Sequence, residues 1–76
     1  MDFLFDEFIE VERNNVKIRI SASEIGVIIP ENIDHCTVIL RGSMLIEGIN
    51  MAAPALYSRV KRVRDRQLEA YKHFCA

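Results

Sequence analysis

Apolar and charged residues alternate from Phe8 to Arg13, with Ile9 and Val11 on one side and Glu10 and Glu12 on the other, the period of a half-buried strand. Asn14 and Asn15 then break the alternation. Asparagine accepts positive φ more readily than other non-glycine residues, so the pair predicts a two-residue hairpin of type I′. Residues 16–20 form the returning strand, with Val16, Ile18 and Ile20 facing inward and Lys17 and Arg19 outward.

Ser21 and Glu24 have the S-x-x-E spacing of a capping box, which predicts a single helical turn over residues 21–25, closed by Gly26. Residues 27–29 are apolar on both sides of the pleat, and Pro30, lacking an N–H, stops that strand. Residues 31–35 form a loop. Strands over 36–40 and 44–47 follow, joined by residues 41–43, where Gly42 is expected to supply the turn conformation. These strands too are apolar on both faces. A small sheet with one wet side would alternate cleanly, so the continuous apolar runs predict that both faces are covered.

From Pro54 to Phe74 the apolar positions recur at helical spacing through Leu56, Val60, Val63, Ala70 and Phe74, with Gln67 in the same series. A helix of that length extends about 31 Å, whereas strands of five or six residues extend about 17–20 Å. The last turns therefore overhang the sheet unless a second subunit receives them. The expected architecture is α+β: a single domain, residues 1–76, with a small antiparallel β-meander of about five short strands and one long C-terminal amphipathic helix. Phe3, Leu4 and Phe5, with Phe8, make a further aromatic-rich patch that could fold over the open sheet face or dock on a neighbour.

Composition narrows the classes. At 76 residues with 50% apolar and 28% charged side chains, the chain is globular in character but buries only ~60% of its unfolded surface, so a partner's surface would add to its core. The opening MDFLFDEF interleaves acids with aromatics, unlike a signal peptide. No apolar run, that over residues 26–30 included, approaches the roughly 20 residues of a spanning helix. A cytoplasmic protein is expected. Cys36 and Cys75 are too few for a disulfide framework and are expected to be reduced.

Charge is unevenly placed. Residues 1–34 hold eight acids and three bases, and residues 58–72 hold six bases and two acids. Within the segment SRVKRVRDR, Arg59, Arg62 and Arg66 fall on one stripe of the helix, a minimal footprint for nucleic-acid phosphates. Asp65 lies within reach of Lys61 and Arg62, and Glu69 within reach of Arg66, as on an ordinary solvated face. A sequence pI near 6.1 is well below that of typical nucleic-acid binders. Arg64 points toward the apolar sector, where pairing with Glu10 or Glu12 would satisfy it. His35 and Cys36, with His73 and Cys75, are metal-capable, yet neither pair has structural zinc spacing, so no metal or other cofactor is expected. No nucleophile, base and acid are grouped, and no phosphate-cradling glycine loop exists, so the chain is not expected to be an enzyme.

The order strand, Arg13-Asn14-Asn15 turn, strand, short turn at 21–25, Thr37-Val-Ile-Leu-Arg-Gly42, strand and helix resembles the small proteins of the flagellar and swarming motility family and related phage-encoded proteins, over residues 8–63. That resemblance implies a small regulatory or accessory protein that binds without catalysis. The same pattern is also similar to the first half of LytTR-type DNA-binding domains, without their second half. The expected function is thus non-enzymatic protein–protein binding with self-association into a homo-oligomer, through Leu56, Val60, Val63, Ala70 and Phe74. A nucleic-acid-binding regulator using Arg59, Arg62 and Arg66 is the alternative.

Overall fold

A computed structural model describes residues 7–75, with side chains through His73. Five antiparallel strands, β1 (Phe8–Arg13), β2 (Val16–Ser21), β3 (Ile25–Pro30), β4 (Cys36–Leu40) and β5 (Leu45–Ile49), precede one helix, α1 (Ala53–Cys75). A 3-10 turn, Ala22–Glu24, joins β2 to β3. The α+β class follows directly. The strand order is β2-β1-β5-β4-β3, however, so only β3, β4 and β5 run as a meander. The β1–β2 hairpin is attached to them through β5, at the single register pair Arg13↔Ile49. Arg13 Nε donates to the Glu47 carbonyl, and Asn50 bonds Glu12 through both its main-chain N–H (2.8 Å) and its side-chain amide (3.2 Å).

Asn14 and Asn15 adopt φ of 53° and 64°, the left-handed pair that a type I′ hairpin requires. In the β4–β5 turn the left-handed residue is Ser43, at φ 70°, not Gly42. The capping box at Ser21 does not form. The 3-10 turn has no side-chain cap, and Ser21 Oγ lies 3.0 Å from Ser23 Oγ instead.

One face of the sheet carries the core. Ile9, Val11, Ile20, Ile25, Cys36, Val38 and Ile49 are buried on it against Ala53, Leu56, Val60 and Val63 of α1. Val16, expected inward, is exposed beside the Asn14-Asn15 turn. At 23 residues α1 extends about 34 Å, and the described chain measures 42 × 21 × 21 Å. From Leu68 to His73 every helical residue is exposed, so the expected overhang is present. Among the described residues no helix is long and apolar enough to cross a membrane.

Candidate functional site

The opposite face of the sheet differs between its two halves. On the hairpin, Glu10 stands across from Arg19 and Glu12 across from Lys17, a charged surface that water solvates. On β3, β4 and β5 the register aligns Val27 with Ile39 and Ile39 with Leu45, an aliphatic row across three strands. Ile29, opposite Thr37, extends it along β3. Val27 and Leu45 are 50% and 52% exposed. Met44 and Ile33, in the loops at the two ends of β4, are more exposed still. Apart from the buried Thr37 and the half-buried Ile39, the second face of these three strands is therefore apolar and open among the described residues.

Glu31 fixes one margin of this face. Its carboxylate accepts from the Thr37 hydroxyl and from the Gly48 N–H at 2.8 Å, so the otherwise buried Thr37 is satisfied. Gly48 sits at φ +72°, beside the register shift between β4 and β5, a backbone position that strains other residues. The Thr37 hydroxyl first, then the Gly48 N–H, holds the Glu31 carboxyl below the usual carboxylate range.

The helical residues expected at an oligomer interface lie elsewhere. Leu56, Val60 and Val63 are buried in this chain's own core, at 0%, 3% and 6% exposure, so they are unavailable to a second copy. Ala70 is exposed on the overhang, and the side chain of Phe74 lies outside the described residues. The Phe3-Leu4-Phe5 patch also lies outside them.

The basic stripe is drawn toward β1. Arg59 donates to the Glu10 carbonyl at 3.4 Å, and Arg66 pairs with the Glu7 carboxylate. Arg62 shares an open cleft of about 330 Å³ with them and with both acids. Lys61 pairs with Asp65 at 3.0 Å, as the spacing implied, which raises the ammonium's pKa. Two of the three stripe guanidiniums thus act within the chain, tying α1 to the start of β1. Arg64 bonds neither Glu10 nor Glu12; its guanidinium donates to the Ile25 carbonyl on β3.

Cys36 is fully buried in the core, where burial first and the Glu31 charge second push its thiol pKa up. Among the described residues no three His, Cys, Asp or Glu side chains are grouped to hold a metal ion. The row Val27–Ile39–Leu45 was not singled out from sequence, although the two-sided apolar runs that contain it were the available signal. Compared with protein-family models, with curated proteins and with solved structures, the chain matches none of them.

Proposed function

We propose that this chain is a small non-enzymatic accessory or regulatory protein that acts by binding protein chains, itself included, through the outer face of β3, β4 and β5. The observation that carries the reading is the aliphatic row Val27–Ile39–Leu45, exposed at Val27 and Leu45 and half-buried at Ile39, with the exposed Ile29 beside it. Burying a half-exposed aliphatic side chain contributes roughly 1 kcal/mol, so a handful of them on each copy supplies a meaningful association energy. The net charge of −1 opposes self-contact only weakly. The resemblance of residues 8–63 to motility accessory proteins supports the accessory part.

Charge substitution on the face tests the reading. Light scattering of the unmodified chain should give at least twice 8.8 kDa at micromolar concentration. Leu45→Lys should weaken self-association by at least about tenfold, or ~1.4 kcal/mol. Leu68→Lys, equally exposed but on the helical overhang, should leave it unchanged. An unmodified chain that is monomeric there, or equal effects of the two substitutions, would refute the assignment.

A further inference from the structure

A second surface runs along the seam between α1 and the free edge of β3, and it differs in kind from the outer face because it offers main-chain groups. Leu40 donates its N–H to the Met44 carbonyl and accepts from the Ser43 N–H, both at 2.8 Å, so its main chain faces away from β3. Ile25, opposite Leu40, therefore turns its own N–H and carbonyl away from β4. The register shift between Ile25 and Val27 is followed by regular alternation, which turns the main chain of Ile28 to the free edge as well. Ile25 is already satisfied, its N–H by Ala22 and its carbonyl by Arg64. Pro30 has no N–H to give. Ile28 is left as the residue whose N–H and carbonyl both remain for a partner, and among the described residues nothing from outside the sheet bonds them.

Beside Ile28 lies an open cleft of about 320 Å³ lined by Ile28, Pro30, Ala53, Pro54 and Tyr57, all of them apolar apart from the tyrosine hydroxyl. Arg64 closes the seam at its far end by bridging from α1 to β3. Its guanidinium has further N–H donors, and among the described residues no carboxylate pairs with it.

We propose that this seam takes a short extended segment of another protein, its main chain bonded to Ile28, an apolar side chain in the cleft and an acidic side chain against Arg64. A second copy of this chain fits poorly. Its β3 brings its own Pro30 and an Ile25 already bonded to Arg64, so two such edges could pair only around Ile28. Its other free edge, β2, carries Lys17 and Arg19, which Arg64 would repel. An extended acidic and apolar segment meets neither obstacle, and strand addition at an edge is an established mode of peptide capture.

The test uses the full chain labelled with nitrogen-15 and a synthetic acetylated peptide, Thr-Val-Thr-Val-Thr-Glu, at up to millimolar concentration. Saturable shifts are expected at the Ile28 amide and at the amides of Ala53 and Tyr57. Replacing the peptide's Glu by Lys should weaken binding at least about fivefold. Tyr57→Lys, on an exposed helical position, should abolish it while far-ultraviolet circular dichroism stays unchanged. Absence of saturable shifts, shifts confined to Val27, Ile39 and Leu45, or undiminished binding by Tyr57→Lys would overturn the proposal. Repeating the titration on Leu45→Lys separates this outcome from that of the outer face.

Discussion

At the residue scale, backbone conformation explains some of the least replaceable side chains. Asn14 and Asn15 were legible as a hairpin because few residue types accept left-handed φ twice in succession, whereas Ser43 was not, since a serine beside a glycine invites the opposite assignment. Asn15→Val should destabilise the fold by about 1–2 kcal/mol in urea denaturation, and Asn15→Gly should be close to neutral. Glu31 carries the pH dependence. Its folded pKa is lowered, so its contribution is fully present above the ordinary carboxylate range and is lost as pH falls through the folded value. Glu31→Gln should be less stable than the unmodified chain at about pH 7, and the two denaturation midpoints should converge as pH falls below the ordinary carboxylate range. A constant gap between them across that range would show that the Thr37 and Gly48 bonds do not act through the carboxylate charge.

At the scale of elements, the strands and the helix could be read because their periods of 2 and 3.6 differ and because Pro30 and the asparagine pair punctuate them. Strand order could not. A strand that is apolar on both faces fits beside several neighbours, and the pairing of β5 with β1 rests on a few main-chain and polar contacts around Arg13, Glu12 and Asn50 that leave no pattern in the chain. Periodicity likewise identified the apolar side of α1 but not what covers it, and Leu56, Val60 and Val63 proved to face their own sheet. Arg64 on that helix secures the first residue of an edge strand. Arg64→Met should cost about 1–2 kcal/mol, measured by urea unfolding, through the unsatisfied Ile25 carbonyl. The overhang contributes less to the fold: deleting residues 68–76 should leave cooperative unfolding intact and change stability by less than about 1 kcal/mol. Self-association should survive this truncation, since the helix end is not the surface proposed to mediate it.

For the whole molecule, the described residues place their core between one helix and one face of the sheet and leave the other face of three strands apolar and largely open. The continuous apolar runs of β3, β4 and β5 forecast a covered face; what they could not specify is that the cover would have to come from outside the described residues. The basic segment of α1 reads differently once folded, with Arg59 engaged by β1, Arg66 by Glu7 just before it and Arg64 by β3. The central claim is that copies meet through the outer sheet face. Isotope-filtered nuclear Overhauser spectra of a mixture of carbon-13-labelled and unlabelled chain examine it most directly. Contacts between copies should join the methyl groups of Val27, Ile39 and Leu45. Contacts confined to Leu68 and Tyr71 of the overhang, or none at concentrations where light scattering reports an oligomer, would contradict it.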